Sequence, residues 1–384
     1  MANQLTVLLG LPALSVESFC QIEGSICLHL ELTNPGISCP HCHSYTTEVN
    51  QDRPVLVRDL PSFGNVIYLR VPRRQFYCNE CQRYETERLG WIDWQRRHTQ
   101  RYEANIFERI KGSSIEKIAR SEGLSFDEIE GIFKHVSRPS VKKKWEAGNR
   151  LSIDEIAMRK GHKNFKTVVS DIDRGKLIEV IDGHTQEVII EKLMEQPPDV
   201  RDAVKEVSID MWGGFDKVIA QVFPNAQVVT DRFHVMKPLI KELNTIAHQV
   251  GIRGWKNKAI LLGNQQQLTP QQLEKLNQLL SQSSRLAIAY KYKEEFRQIY
   301  ETSQTVEEGH ERFTNWLKAA AQVYGQVLQT IQNHLDSICN YFVSRASSGV
   351  MEGINNKIKQ IKRQAYGFTN FDNFRLRLLV CFSD

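Results

Sequence analysis

The segment VKEVSIDMWGGF, residues 204–215, predicts a buried β-strand that ends at an acidic residue. Its β-branched residues favour a strand as far as Asp210, and the two glycines after Trp212 permit a sharp turn into a helix. An acid at the end of a strand is usually a turn residue or a helix cap. If Asp210 instead binds a metal ion, other acids must converge on it.

The segments on either side of this strand alternate between strand-like and helical patterns. Three strand-like runs precede it, namely RLSIDEIAM (150–158), FKTVVSDID (165–173) and KLIEVIDG (176–183). A predicted helix that stops at Pro197 comes next, and a second helix and the strand AQVVTDRFHV (226–235) follow the segment. This order, βββαβαβ, is that of a ribonuclease-H-like fold.

The rest of the C-terminal half is predicted to be helical. From Met236 to about Arg345 the sequence contains no strand-like run, and a final helix is predicted to begin near Ser348. One face of that helix is apolar and should pack on the sheet. It consists of Ile354, Ile358, Ile361 and Ala365. We therefore expect an α/β ribonuclease-H-like domain that is interrupted by an all-α insertion.

Two further acids are candidates to share a metal ion with Asp210. Asp154 lies in the first predicted strand, which neighbours the strand of Asp210 in a ribonuclease-H-like sheet. Two adjacent carboxylates are costly unless a cation lies between them, and oxygen ligands favour Mg²⁺ or Mn²⁺ over zinc. Glu352, in the final helix, is the expected third ligand. Its stripe of the helix continues through Asn355, Lys359 and Arg363, where a DNA backbone could lie.

Three other polar residues near these acids allow two interpretations. Glu155 directly follows Asp154, so strand alternation should send its side chain to the opposite face of the sheet. Asp231 and His234, at the end of the fifth strand, are candidates to orient a ligand, a base or the leaving strand. Turn chemistry explains Asp231 equally well.

Two CxxC pairs, CPHC (39–42) and CNEC (78–81), predict a structural zinc site. Each pair places two thiolates on one tight turn, and two such turns that face each other complete a tetrahedral site. The predicted ligands are Cys39, Cys42, Cys78 and Cys81, and His41 and His43 are alternative ligands. Residues 1–95 are therefore expected to form a β-rich zinc ribbon.

Other parts of the N-terminal sequence are predicted to be ordinary strands. The segment VIYLRVPRRQFY (66–77) alternates like a single strand that leads into the second cysteine pair. Cys20 and Cys27 are interpreted as strand residues, not as ligands.

Residues 100–137 have the spacing of a helix-turn-helix. Ser113 with Glu116, and Ser125 with Glu128, fit the S-x-x-E capping box that starts a helix. Gly123 supplies the turn between the two helices. A plain helical hairpin is an equally common outcome of such a pattern, but the basic runs on either side favour DNA binding.

The positions of the basic residues indicate an anionic partner more clearly than the formal net charge of +5 does. They cluster in RVPRR (70–74), RRHTQR (96–101), RPSVKKK (138–144) and KIKQIKR (357–363). Clusters separated by structured segments suit a protein that contacts DNA at several points, although any one of them could be solvated surface. The candidate DNA-binding residues are Arg73, Arg74, Arg96, Arg97, Lys142, Lys143, Lys144, Lys359, Lys362 and Arg363.

The sequence contains no sign of a membrane or secreted protein. No apolar run approaches the length of a membrane span, and the N-terminal segment lacks the pattern of a signal peptide. Paired CxxC motifs in a reducing compartment indicate metal binding, not disulfides. We therefore expect a cytoplasmic protein.

The cysteine pairs and the helix-turn-helix, together with SIDEIAMRKGH, VSIDMW, TDRFHV and GVMEGINNKIKQIKRQAYGF, resemble bacterial insertion-sequence transposases of the ISL3 family. The resemblance covers nearly the whole chain, with the motifs in the order of the family. It implies a DDE transposase whose zinc ribbon and helix-turn-helix bind terminal inverted repeats, and whose ribonuclease-H-like domain cuts and joins DNA. It also implies that Asp154, Asp210 and Glu352 are the acidic triad. Asp231 and His234 resemble the D-x-x-H element of related transposases.

The expected organisation and reaction follow from this resemblance. The domains are a zinc ribbon (1–95), a helix-turn-helix (96–148), a catalytic domain (149–235 and 346–384) and a helical insertion (236–345). We expect phosphoryl transfer with two Mg²⁺ or Mn²⁺ ions, and a homodimer or higher assembly on DNA of the bacterial nucleoid, because two element ends must meet. The alternatives are a ribonuclease-H-like nuclease without strand transfer and a non-catalytic DNA-binding regulator derived from a transposase.

Overall fold

The computed structural model describes residues 2–138, 144–146, 148–159, 163–211, 214–345, 349–364 and 370–382. The chain divides into two compact units, Met1–Pro139 and Ser140–Asp384, and each has hydrophobic cores of its own. Some residues singled out in the sequence lie outside the described ranges. They are Lys142, Lys143, Trp212, Gly213, Ser348 and Ala365.

The first unit is rich in β-structure over most of its length, as the sequence predicts. It begins with helix α1 (Ala2–Leu9). Its strands are β1 (Leu14–Ile22), β2 (Ser25–Leu32), β3 (Ile37–Ser38), β4 (Tyr45–Thr46), β5 (Val49–Asp52), β6 (Val55–Ser62), β7 (Asn65–Val71), β8 (Arg74–Cys78) and β9 (Arg83–Thr86). The larger sheet has the order β1-β2-β7-β6, and β3-β4 and β5-β8-β9 form two small sheets.

The larger sheet buries one face, because strand residues alternate between its two sides. On β2 the even-numbered residues Leu28, Leu30 and Leu32 are buried, so the odd-numbered residues lie on the outer face. The β1–β2 hairpin turns through Glu23 and Gly24, which both have positive φ angles, 34° and 75°. These angles match a two-residue type I′ turn, whose twist suits a hairpin.

The prediction of a single strand over residues 66–77 is wrong. Strand β7 ends at Val71 and β8 begins at Arg74, so Pro72 separates them. Proline has no N–H to donate to a strand ladder and therefore ends the pairing of β7. The two halves of the run join different sheets, since β7 lies in the larger sheet and β8 pairs with β5 and β9.

Three helices complete the first unit, α2 (Gln100–Lys111), α3 (Ile115–Glu122) and α4 (Phe126–Ser137). Ser125 caps α4 by accepting the N–H of Glu128, as predicted. Helix α3 is capped by Ser114, which accepts the N–H of Lys117, and not by Ser113. The S-x-x-E pattern selected Ser113 because it requires a glutamate at the third position, whereas the cap needs only the backbone N–H there.

The second unit contains a mixed sheet of the order β12-β11-β10-β13-β14. Its strands are β10 (Arg150–Arg159), β11 (Lys163–Asp171), β12 (Lys176–Ile181), β13 (Glu206–Ile209) and β14 (Gln227–Thr230). Strands β10, β11 and β12 are antiparallel neighbours, and β13 and β14 run parallel to β10. The connecting helices are α5 (Gln186–Met194), α6 (Pro198–Ala203) and α7 (Phe215–Val222). The predicted succession of elements is present, with α6 as an addition that begins at the second of two prolines.

The chain after β14 is helical in all its described elements. These are α8 (Arg232–Gln249), α9 (Trp255–Leu262), α10 (Pro270–Leu280), α11 (Ser284–Thr302), α12 (Val306–Ala320), α13 (Gln326–Asn333), α14 (Leu335–Cys339), α15 (Tyr341–Ser344), α16 (Gly349–Gln364) and α17 (Phe371–Cys381), with a short 3₁₀ turn at Gln265–Gln267. Helices α8 to α15 share one core, in which Gly309 lies against the Phe342 ring so closely that any side chain there would clash. Among the described residues no helix is long and apolar enough to cross a membrane.

Helix α16 packs on the sheet, as predicted for the final helix. Ile354, Ile358 and Ile361 are buried in a core that also contains Ile156 of β10 and Val180 of β12. The opposite face of the sheet packs on α5 and α7 through a separate core. Helix α17, which the sequence did not predict, joins the α16 side of the sheet. It was missed because its polar Asn373 and Arg377 are buried, which obscures the amphipathic pattern.

We predict that Gly123→Ala destabilises the turn between α3 and α4. Gly123 has φ +63° and Gly112 has φ −102°, and an added Cβ would meet nothing within 4 Å at either position. Backbone conformation alone therefore separates the two substitutions. We expect Gly123→Ala to cost about 1 kcal/mol, and to speed amide exchange at this turn about fivefold. Gly112→Ala is the matched control and should not speed it. Equal exchange rates in the two variants would contradict the prediction.

Candidate functional site

The ends of strands β10 and β13 bring Asp154 and Asp210 to the same level of the sheet. The two strands are parallel and Ile153 pairs with Ile209, so the acids follow the last paired residues. Both oxygens of Asp154 are held in place. Its Oδ1 accepts the backbone N–H of Glu155 at 2.7 Å, and its Oδ2 accepts the side-chain amide of Asn355 at 2.6 Å.

Glu352 is brought to this region by helix α16. It lies one helical turn before Asn355, and residues three apart share a side of a helix. Its side chain is exposed. The ligand atoms of Asp154, Asp210 and Glu352 do not form a group within 4.8 Å of one another, in a search that covers the described residues. The structure therefore places the helix beside the strands but leaves the glutamate extended toward solvent.

Asp231 is both a helix cap and a member of the acidic group. Its Oδ1 accepts the backbone N–H of Phe233 at 2.7 Å, which caps helix α8. Burial raises the pKa of Asp231, the charges of Asp154 and Asp210 raise it further, and the Phe233 N–H and His234 oppose the shift. His234 Nδ1 lies 4.0 Å from Asp231 Oδ2. The two interpretations of Asp231 are thus not exclusive.

Glu155 is a residue of this group that the sequence interpretation set aside. Burial raises the pKa of Glu155, and the charges of Asp210 and Asp154 raise it further. His184 opposes the shift, with Nδ1 3.9 Å from Glu155 Oε1. Strand alternation separates neighbouring side chains along β10 but does not apply to Asp210, which lies beyond the end of β13. In the sequence, the position of Glu155 directly after Asp154 was the feature that could have identified it as a member of this group.

The composition of this group suits a hard divalent cation. Asp154, Asp210 and Asp231 present carboxylates close enough to affect one another's environment, and such crowding is relieved by a cation. Among the described residues, two buried oxygens here, Glu155 Oε1 and Asn355 Oδ1, find no hydrogen-bond partner. Carboxylate and amide oxygens are ligands typical of Mg²⁺ sites. The acids can therefore bind a metal ion.

The predicted zinc ligands converge in the first unit. Cys39 Sγ lies 3.3 Å from Cys81 Sγ, and Cys42 Sγ lies 3.5 Å from Cys78 Sγ. All four sulfurs lie within 4.8 Å of one another, and the group includes no histidine. His41 instead contacts Glu85 at 2.9 Å. Hydrogen bonds from Ser44 lower the pKa of Cys42 to about 6, whereas hydrogen bonds with Cys39, Cys42 and Cys78 raise the pKa of Cys81, so the four thiols do not ionise independently.

Some of the basic residues predicted to bind DNA form ion pairs or hydrogen bonds within the protein, and others are exposed. Arg74 pairs with Glu87 at 2.8 Å, Arg96 with Glu103 at 2.7 Å, and Lys144 with Asp199 at 2.9 Å. Lys362 donates to the carbonyl of Ala157 and thereby helps to hold α16 on β10. Arg97, Lys359 and Arg363 are exposed, and so is Lys144 despite its ion pair. For all of them, DNA contact remains a prediction.

An arginine–tryptophan groove in the first unit was not predicted. Trp94 is 46% exposed, and the guanidinium carbons of Arg73 and Arg88 each lie 5.0 Å from the centroid of its ring. These residues and Arg96 line a cavity of about 390 Å³. Arginines held on an aromatic face keep their N–H groups available for phosphate. The charge clusters 70–74 and 96–101 pointed to this place, but no sequence pattern singled out Trp94 or Arg88.

Three family models match successive parts of the chain. A zinc-finger of transposases IS204, IS1001, IS1096 and IS1165 matches residues 35–81, and a helix-turn-helix domain of transposase family ISL3 matches residues 87–137. A transposase DDE domain of the ISL3 type matches residues 151–378.

Individual relatives agree with these matches. The transposase for insertion sequence element IS1001 of Bordetella parapertussis is 27% identical over 374 residues, which cover 93% of this chain and 92% of the relative. The transposase for element IS1557 of Mycobacterium tuberculosis is 25% identical over 57% of this chain and 56% of its own length. A Lactococcus lactis protein named ATP-dependent protease is 44% identical, but over only 57 residues, or 15% of this chain.

A zinc ribbon and a helix-turn-helix in front of a DDE domain define a DNA transposase. The chain belongs to the ISL3 family of transposases. Neither alternative, a nuclease without strand transfer or a non-catalytic regulator, is favoured by these relatives.

We predict that Cys78→Ser combined with Cys81→Ser removes one zinc ion per chain and abolishes binding to terminal-repeat DNA. The two residues supply half of the four-sulfur group, and a ribbon of this kind does not hold its fold without metal. Zinc content by mass spectrometry and a gel-shift assay measure the two effects.

His41→Ala is the matched control for this prediction. It removes a possible ligand from within the first cysteine pair, but His41 contacts Glu85 and not the sulfur group. Zinc content should therefore be unchanged. Loss of zinc from His41→Ala, or full DNA affinity in the double serine variant, would contradict the assignment.

Proposed function

We propose that Asp154, Asp210 and Glu352 form the acidic triad with which this transposase cleaves and joins DNA. The observation that carries the proposal is the hydrogen bond between Asn355 and Asp154. It docks the helix that carries Glu352 onto the strand of Asp154, beside β13, which Asp210 directly follows. Glu352 has the exposure it needs to swing toward the other two acids.

Neighbouring residues orient the acids of this centre in the absence of DNA. Asn355 fixes one oxygen of Asp154 and the Glu155 N–H fixes the other, so Asp154 is oriented without a substrate. Asp231 and His234 lie at the start of α8, within reach of the acids, and orient the group or the departing strand. When bound, two Mg²⁺ or Mn²⁺ ions would polarise the scissile phosphate and acidify the attacking water or 3′-hydroxyl.

The proposed catalytic domain is ribonuclease-H-like and interrupted by a helical insertion. Its sheet has three antiparallel strands followed by two strands parallel to the first, and α16 returns to that sheet after the helices α8 to α15. We place its segments at 149–235 and 346–384, the insertion at 236–345, the ribbon at 1–95 and the helix-turn-helix at 96–148.

The first unit is proposed to recognise the terminal inverted repeats. It matches the zinc-finger and helix-turn-helix models of the family, and helix-turn-helix motifs commonly bind DNA. We assign phosphate contacts to the groove formed by Arg73, Arg88 and Trp94, because its guanidinium groups lie on an exposed ring. Joining of two element ends further requires two chains, so a homodimer or higher assembly is expected on DNA.

We predict that Asp210→Asn abolishes strand cleavage and spares DNA binding. The substitution removes one charge from the proposed triad, and charge stabilisation by metals is worth several kcal/mol. Cleavage of a labelled element end should fall at least about a thousandfold. A gel-shift assay with terminal-repeat DNA should give the affinity of the unchanged protein.

Asp216→Asn is the matched control, because Asp216 is an exposed acid on the next helix and loses the same charge. It should cleave normally. Cleavage retained by Asp210→Asn would refute the triad. Loss in both variants would show that general charge near this helix, and not a specific ligand, is responsible.

We also predict that Arg73→Ala combined with Arg88→Ala weakens repeat binding and its dependence on salt. Each phosphate contact contributes about 0.9 to the slope of log affinity against log salt, so the slope should fall by about two. Trp94→Ala keeps both charges but removes the surface that holds them. It should weaken binding with little change in slope.

Arg53→Ala combined with Arg83→Ala is the control for the groove, because both residues are exposed arginines of the same unit. Titrations by fluorescence anisotropy at several salt concentrations give affinity and slope together. An equal loss in the control and in the groove variant would mean that overall charge, not the groove, determines binding.

A further inference from the structure

Another group of potential metal ligands lies in the first unit, apart from the zinc ribbon cysteines. Cys20, Cys27 and His29 each offer a ligand atom, and these atoms all lie within 4.8 Å of one another. From the sequence, both cysteines were expected to be ordinary strand residues. Their spacing contains no CxxC, so the group arises from strand pairing alone.

The β1–β2 hairpin brings the three residues together. Cys20 and Cys27 are direct partners across the two antiparallel strands, and side chains of such pairs lie about 5 Å apart. His29 is two residues beyond Cys27 on β2, so both point to the same face. That face is the outer one, because the even-numbered leucines of β2 face the core. The register is fixed by the type I′ turn at Glu23 and Gly24.

We propose that Cys20, Cys27 and His29 form a second transition-metal site, open at one coordination position and suited to Zn²⁺. Two sulfurs and one imidazole nitrogen are ligands that zinc prefers. In a tetrahedral zinc site the sulfurs lie about 3.8 Å apart, so the ligand atoms need to move by about 1 Å or less. A disulfide between Cys20 and Cys27 would leave His29 without a role.

The chemistry of the pair is consistent with cation binding. Burial raises the pKa of Cys27, and the neighbouring Cys20 raises it further, because two thiolates side by side repel each other. A divalent cation between them removes that repulsion. Arg70 of strand β7 pairs with His29 of strand β2. Its positive charge lowers the pKa of Cys27 and so favours the thiolate form. Binding releases the two thiol protons to solvent, so affinity should increase with pH.

This site differs from the ribbon site because it is open to solvent and lies on a different sheet. Cys20 is exposed, so a cation can enter from solvent and the fourth position remains available to water. The three residues lie on the larger sheet, and the ribbon cysteines flank strands of the two small sheets. Loss of one metal therefore need not remove the other. The site also makes no use of the acids of the second unit.

The test is zinc stoichiometry of the full chain, kept reduced with a phosphine. Native mass spectrometry of the unchanged protein, freed of metal and supplied with Zn²⁺, should show two ions per chain. Cys20→Ser combined with Cys27→Ser should show one ion, and so should Cys78→Ser combined with Cys81→Ser. With Co²⁺ in place of zinc, the ion retained by the Cys78 and Cys81 variant should show the weaker charge-transfer absorption of two thiolates.

His29→Ala provides a second variant that keeps both cysteines. It should weaken the second zinc by more than about tenfold, since even groups that only orient a ligand contribute that much. Circular dichroism checks that each variant folds. One zinc ion in the unchanged protein, or two in the Cys20 and Cys27 variant, would overturn the proposal. Neither result depends on cleavage or on DNA binding, so the proposed triad is tested separately.

Discussion

The hydrogen bond from Asn355 to Asp154 joins two residues 201 positions apart and, together with the bond from Lys362 to the carbonyl of Ala157, fixes where helix α16 meets the sheet. Apolar contacts through Ile354 and Ile358 hold the helix against the sheet but are not directional. The amide is directional, and it selects one carboxylate at the end of one strand. Because Glu352 lies one turn away, the same bond also determines where an acid from a distant part of the chain is presented.

Bringing several acids together raises the free energy of the folded protein, and the surrounding packing must offset this. Several carboxylates share a small region, and burial and mutual repulsion raise the pKa values of Glu155 and Asp231. Part of the cost is offset by helix α8, whose first N–H groups and dipole favour the negative charge of Asp231. Two separate apolar cores, one on each face of the sheet, hold the strands in place around it. Crowding of like charges that conflicts with stability is typical of functional sites.

Local patterns in the sequence predicted much of this structure, and the failures have physical causes. The cysteine pairs, the cap at Ser125 and the apolar face of α16 depend on short spacings, and all are present. The break at Pro72 was missed because alternation does not report which sheet a strand joins. Glu155, the Arg73–Trp94–Arg88 groove and the hairpin trio depend on contacts between segments, which a single sequence does not specify.

The long separation between the two partners of the Asn355 bond also affects how the protein is made. A nascent chain on the ribosome completes its N-terminal unit, and then strands β10 to β14, well before α16 is translated. Until that point Ile156 and Val180 have no helix to cover them, and Asp154 lacks its amide partner. A message cut short in this interval yields a protein with an intact ribbon and an unfinished sheet. Such a product would keep the zinc ribbon and the helix-turn-helix but lack the helix that carries Glu352.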